Sequence, residues 1–224
     1  MTSSPAPSDE TRPLVLVTGC VKYRTYLDAA LQRFDHPDLC LVGFMGDPDS
    51  TLTAPEYDPA TRIVRLPVSD IYEALPAKVH AAFQWAADTF PRVPGIWKTD
   101  DDIVYTNKDQ LVGTIHTLVA EPYWGLFVGA CRENRVHPWR IQERFADKTL
   151  QPRHQQAIYC YGHGYWVSRV ALPHVTIAAE TYRSSFLEDV CTGYVLNQVR
   201  IFPRRGVVVP YTELPRGPEL LSAK

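Results

Sequence analysis

Four consecutive aliphatic residues, Leu14-Val15-Leu16-Val17, run into Thr18-Gly19 with no polar residue to mark a solvent face. A strand of this kind is buried on both sides, which is the condition of a parallel sheet covered by helices. The next segments keep to that plan. Tyr26 to Phe34 carries Leu27, Ala30, Leu31 and Phe34 at helical spacing. Leu39 to Phe44 is a second apolar run, closed by the turn signal Gly46-Asp47-Pro48-Asp49, and Ile63 to Leu66 is a short third. Leu75 to Phe90 places Val79, Ala82, Phe83 and Ala86 three and four apart and predicts an amphipathic helix. Alternation of strand and helix in this order predicts an α/β fold built on an open, mostly parallel sheet.

The second half reads differently. Gly125 to Ala130 and Tyr159 to Ser168 predict strands rich in aromatics, separated by a charged, irregular segment from Arg132 to His154. Glu188 to Val199 predicts a helix, and Val207 to Pro210 a last short strand. No repeat or Gly/Ser linker divides the chain, so a single domain over 13–210 is expected, its halves (13–107 and 108–210) sharing one sheet. Residues 1–12 read as a disordered tail, and 211–224 as a C-terminal tail or surface strap.

Composition narrows the function. The 23 Lys and Arg against 25 Asp and Glu leave no basic surplus, so no nucleic-acid partner is expected. No apolar run nears the ~20 residues of a membrane helix, and residues 1–12 lack the layout of a secretory signal. Five scattered cysteines show no zinc-like pair spacing and fit a reducing cytoplasm.

Three segments carry chemistry. In Trp97-Lys98-Thr99-Asp100-Asp101-Asp102-Ile103 three carboxylates stand between apolar flanks. Along an extended chain Asp100 and Asp102 point one way and Asp101 the other. Two like charges at a partly buried strand end call for a cation, and oxygen-only ligands favour Mg or Mn. A solvated turn capped by acids is the plainer reading, which the apolar flanks disfavour. Tyr159-Cys160-Tyr161-Gly162-His163-Gly164-Tyr165-Trp166 sets aromatic rings around two glycines. Flat ring faces can carry sugar C–H groups, and glycine admits close backbone approach; an aromatic core strand with a bulge is the alternative. Leu187-Glu188-Asp189-Val190 opens a helical pattern with two acids, suited either to capping or to a rigidly held general base. Gly193 inside that helix predicts a close neighbour.

In this order and at these separations, the three segments resemble the β-1,3-glycosyltransferases of glycosyltransferase family 31, which include galactosyl- and N-acetylglucosaminyltransferases and the Fringe proteins. Lys98 to Ile103 with Asn107 looks like the family's K-T-D-D-D-V-F-V-N. Tyr159 to Tyr165 with Ser168 looks like Y-C-S-G-G-G-Y-V-L-S, and Glu188-Asp189-Val190 with Gly193 like E-D-V-Y-V-G. Asp70 to Leu75 with Lys78 resembles a further D-x-Y-x-N-L-x-x-K segment, and Pro138-Trp139 a P…W region. The resemblance implies a GT-A (Rossmann-like) fold, a mixed central sheet flanked by helices. It also implies transfer of a hexose or N-acetylhexosamine from a UDP-sugar to a glycan, glycolipid or other hydroxyl acceptor, with inversion and a β-1,3 linkage. Asp189 would be the base and Glu188 would shape its field; Asp102 and Asp100 would bind Mn2+ or Mg2+. Thr18, Gly19, Lys78, Lys98, Asp100, Asp101, Gly162, His163 and Gly164 would hold the UDP-sugar, and Trp139, Tyr161 and Tyr165 the acceptor. The family's anchor and stem have no counterpart here, which implies a soluble bacterial or viral member, cytoplasmic or peripheral at a membrane carrying the acceptor. A carbohydrate- or UDP-sugar-binding protein of the same fold without turnover is the alternative.

Overall fold

The computed structural model describes residues 7–130, 156–206 and 209–215. In chain order the first half gives β1 (Leu14–Thr18), α1 (Arg24–Phe34), β2 (Cys40–Asp47), β3 (Glu56–Asp58), β4 (Ile63–Ser69), α2 (Leu75–Thr89), β5 (Gly95–Asp100) and β6 (Ile103–Tyr105). The second half gives α3 (Lys108–Thr117), β7 (Tyr123–Gly125), β8 (Val128–Ala130), β9 (Ile158–Cys160) and β10 (Tyr165–Ser168). It ends with α4 (Leu172–Thr176), α5 (Ala179–Arg183), α6 (Glu188–Gln198), β11 (Arg204–Arg205) and β12 (Tyr211–Glu213).

Eight strands form one mixed sheet in the order β11-β7-β10-β5-β1-β2-β4-β3. β1 pairs in parallel with both β2 and β5, and β10 joins β5 antiparallel, so strands from both halves share the sheet. All five residues of β1 are buried, and their period of two divides them between two cores. Leu14 and Leu16 pack with Val79, Phe83 and Ala86 of α2 and with α4 to α6. Val15 and Val17 pack with Leu27 and Leu31 of α1 and with Leu111 and Ile115 of α3. Helices therefore cover both faces, as the unbroken apolar run requires.

The chain leaves β1 toward β2 on one side and returns to β5 on the other. In open α/β sheets the crevice that takes ligands lies at such a reversal, here the carboxyl ends of β1 and β5. Thr18 stands beside Asp100 in the parallel register there.

Several boundaries depart from expectation. The strand read over Gly125 to Ala130 divides into β7, in the main sheet, and β8, which pairs with β9 in a separate two-stranded sheet. The strand read over Tyr159 to Ser168 divides likewise into β9 and β10 around the turn at 161–164. Aromatic content alone could not show where the chain changes sheets. α3 escaped sequence reading, although Asn107 caps it by accepting from Gln110 N at 2.9 Å. The expected strand over Val207 to Pro210 lies partly outside the described residues; β11 and β12 flank it. Two assigned tails are partly built into the fold. Glu10 is buried and paired with Arg12 at 2.6 Å, and Tyr211–Glu213 pairs antiparallel with β6. Among the described residues no helix is long and apolar enough to cross a membrane, and the four described cysteines form no disulfide.

Candidate active site

At the crevice the acidic triplet straddles the end of β5. Asp100 closes the strand, Asp101 and Asp102 form the turn, and β6 follows. Asp101 is buried, its N–H donating to Thr18 O at 3.1 Å and its carbonyl accepting from Arg33 Nη2 at 2.7 Å. Asp100 and Asp102 are half-buried; because the chain turns at Asp101-Asp102 instead of staying extended, the alternation expected of a strand does not apply across the triplet.

Lys98 lies two residues earlier on β5 and is fully buried. Its Nζ donates to Asp100 Oδ1 at 2.7 Å, to Glu188 Oε1 at 2.6 Å and to Gly162 O at 3.3 Å. One ammonium thus binds the triplet, the glycine turn and the first turn of α6, three stretches far apart in sequence. Glu188 is itself buried, and its Oε2 accepts from Tyr165 OH at 2.8 Å. Thr192 Oγ1 donates to Glu188 O at 3.0 Å and meets Tyr182 OH at 2.7 Å, extending the network into the core. Burial pushes the Glu188 carboxyl up to about 7, Lys98 pulls it down, and nearby Asp189 and Asp100 add to the rise. For Lys98 burial acts downward, yet Asp100 and Glu188 outweigh it and the ammonium is raised. The proton therefore stays on the lysine.

Asp189 follows at the second position of α6 and is half-buried. Its Oδ1 accepts from Val190 N at 2.8 Å and its Oδ2 from Gly162 N at 3.3 Å. Two backbone donors and the helix start fix this carboxylate while leaving it partly open to the crevice. Gly162 is needed where it stands, because a Cβ there would lie 2.9 Å from Glu188 Oε1. Thr99 Oγ1 and Tyr105 OH both donate to His163 O, at 2.8 and 2.9 Å, and clamp the turn onto β5 and β6.

Residues 40–205 match the galactosyltransferase family, about three quarters of the chain. The chain belongs to the galactosyltransferase family. Relatives include beta-1,3-galactosyltransferase 2 of Homo sapiens and of Pongo abelii, each 26% identical over 147 residues. The Mus musculus protein of the same name is 25% identical over the same length. Each match covers 63% of this chain and 33% of the relative, so the chain spans about a third of the length of those proteins.

In this galactosyltransferase-family chain the crevice brings together Thr18, Gly19, the acidic triplet, Gly162, His163, Glu188 and Asp189. Other expected ligands are placed elsewhere. Lys78 is buried, donating to Asp70 Oδ1 at 2.8 Å and Gly19 O at 3.1 Å. It props the crevice from below and presents no ammonium to a ligand; Lys98, enclosed by its own carboxylates, does not either. Tyr165 is fully buried against Glu188, so it cannot touch an acceptor; alternation along β10 turns its side chain into the core. Gly164 is filled from inside by Tyr105 and Trp97, which a Cβ would meet at 2.4 and 2.6 Å. The close neighbour predicted at Gly193 is strand β9: a Cβ would lie 2.4 Å from Tyr159 Cβ. Trp139 lies outside the described residues.

Sequence reasoning missed Asp70 as an organiser. Its carboxylate accepts from Val21 N at 2.6 Å, Gly46 N at 2.8 Å and Lys78, tying the ends of β1 and β2 to α2. The motif pairs Asp70 with Lys78, but nothing in it announces the bonds to Val21 and Gly46, 49 and 24 residues away.

Among the described residues no three His, Cys, Asp or Glu side chains converge as a metal cluster. The oxygen donors Asp100 and Asp102 suit a hard divalent ion, but they form only part of a coordination shell.

Proposed function

We propose that this chain is an inverting glycosyltransferase that moves a hexose or N-acetylhexosamine from a UDP-sugar to a hydroxyl of a glycan or glycolipid. The observation that supports the reading is the set of contacts around the glycine turn: Lys98 joins Asp100, Glu188 and Gly162 O, and Gly162 N donates to the half-buried Asp189. A protein that only bound sugar would have no need of a fixed base facing an acidic strand end. The family match supports sugar transfer, and the relatives' name makes galactose the first donor to test and β-1,3 the first linkage.

In this reading the nucleotide lies over the ends of β1 and β5, against Thr18, Gly19 and Asp100. Asp189 accepts the proton of the acceptor hydroxyl as that oxygen attacks the anomeric carbon. The bond from that carbon to the UDP oxygen breaks on the opposite face, and the configuration inverts. Asp102 and Asp100 fit a Mn2+ or Mg2+ ion completed by diphosphate oxygens. When bound, the ion supplies a Lewis acid that offsets charge on the departing UDP. Glu188 has both oxygens engaged and acts by holding Lys98 and the start of α6, not by taking a proton itself.

The test is UDP release from a panel of UDP-sugars, with and without Mn2+ and with glycoside acceptors. Metal- and acceptor-dependent release that disappears in Asp189→Asn supports the reading. Full activity in that variant refutes the assignment of the base, and UDP binding without turnover on any acceptor leaves a binding protein.

A further inference from the structure

A carboxylate meets an ion only where its backbone places it, and a turn is the least constrained part of a strand end. Three peptide planes run through Asp101 and Asp102, and each is tied to a different element. Asp101 N donates to Thr18 O, at the end of β1, at 3.1 Å. Asp101 O accepts from Arg33 Nη2, on the last turn of α1, at 2.7 Å. Asp102 O accepts from Leu214 N, just past β12, at 2.8 Å. The second and third planes flank the Asp102 Cα. Peptide groups are planar, so pinning both fixes φ and ψ there and gives the Cα–Cβ bond of Asp102 one direction.

Both anchors are themselves held. Thr106 N and Oγ1 donate to Pro210 O at 2.9 and 3.1 Å, and Tyr26 OH donates to Pro215 O at 3.0 Å. Between them Glu213 Oε1 lies 2.8 Å from His163 Nε2, and the Tyr211 ring 5.1 Å from that of His163. Leu214 therefore belongs to a strap fixed on either side. Arg33 is half-buried, and its Nε–H is buried with no acceptor among the described residues. It shares the wall of a cavity of about 240 Å³ with the apolar Phe34, Ile103, Tyr105 and Leu111 and with a second cation, Lys108. Neither kind of neighbour favours a positive charge, and an apolar side chain would stabilise such a place at least as well. Burial lowers the guanidinium pKa, and Asp101 and Asp102 act against that fall. The charge of Arg33 is thus answered by the residues whose backbone it holds.

We propose that Arg33 is a positioning residue of the transfer reaction: with the Leu214 N–H it pins the peptides on either side of Asp102 and so presents that carboxylate at one place to the divalent ion bound with UDP. The proposal rests on the transferase reading and extends it to α1 and to the strap after β12, which none of the sequence motifs includes.

Calorimetry with the full chain, titrating Mn2+ in the presence of UDP, tests it. Arg33→Met keeps an aliphatic stem and loses the bond to Asp101 O; Leu214→Pro removes the other N–H donor without changing charge. Mn2+ affinity is expected to fall about tenfold in Arg33→Met and about threefold in Leu214→Pro. Amide hydrogen exchange over residues 100–103 of the metal-free protein should quicken in both. An arginine with a merely structural part would lower the denaturation midpoint and leave the Mn2+ affinity of the folded protein alone. If Arg33→Met folds poorly, Leu214→Pro carries the same test. Mn2+ affinity unaltered in both variants, or raised in Arg33→Met, overturns the proposal; the second result would make Arg33 a competitor of the ion. Absence of Mn2+ and UDP binding in the unmodified chain refutes the transferase reading instead.

Discussion

Two buried lysines hold the crevice, and they are built differently. Lys78 faces one carboxylate, Asp70, whose other bonds come from neutral backbone N–H groups. One positive and one negative charge cancel, and the pair ties the ends of β1 and β2 to α2 as scaffold. Lys98 faces two carboxylates, Asp100 and Glu188, with Asp189 close by. There two carboxylates share one ammonium. A balanced buried pair is most economically read as structure, while an unbalanced one retains a capacity to meet a cation or a proton.

The sharpest way to test this contrast is at Asp189, the carboxylate that adjoins the Lys98 centre. Asp189→Asn preserves shape and removes the proton acceptor, so transfer should fall by about 10²–10⁴-fold in a UDP-release assay. The same measurement on Asp70→Asn should show a far smaller loss per folded molecule; equal losses would break the contrast. Next in size, Lys98→Met strands two carboxylates and should cost about 3–5 kcal/mol in urea unfolding. Lys78→Met strands one carboxylate that keeps two N–H donors, so its loss should lie at or below the lower end of that range.

A third test uses pH. Glu188 has an ordinary value of 4.5 and is pushed up to about 7 in the fold, mainly by burial. Between those values the folded chain holds more protons than the unfolded one, so this group's contribution to stability falls as pH rises through the window. Lys98, raised by its carboxylates, stays charged throughout. The stability difference between the parent chain and Glu188→Gln should therefore shift against the parent by on the order of 2 kcal/mol from pH 4.5 to 8. A flat difference in urea titrations would show that burial does not raise Glu188 in the fold. A comparable loss is expected at Gly193→Ala, away from both lysines: its Cβ would press on Tyr159 and on Ile158 O, at about 1–3 kcal/mol in thermal unfolding.

Much of the first half is legible because its strands are buried on both faces and its helices carry one apolar stripe. Leu14 to Val17 and Val79 to Ala86 report their surroundings through composition alone. The second half is less legible because its strands are three or four residues long and change sheets at turns. A ring in β7 and a ring in β9 look alike in sequence, yet they belong to different sheets. The site divides in the same way. Asp100 to Asp102 and Glu188-Asp189 stand out as acids among apolar neighbours, but the turn at Asp101-Asp102 is not legible, because a strand-like pattern continues through it. Lys78, Lys98 and Tyr165 fit a ligand-binding pattern equally well by sequence, but they are enclosed.

The sequence by itself determined the α/β class, the two cores on either side of β1, and the segments that bear the acids, because periodicity and charge are local properties. The fold alone decided that the Lys98 ammonium joins residues 100, 162 and 188 and that Asp70 ties the ends of β1 and β2 to α2. It also decided that Glu213 and Tyr211 come to rest against His163. Those are long-range hydrogen bonds and ring contacts, and they exist because the topology of the sheet brings distant strand ends to one edge.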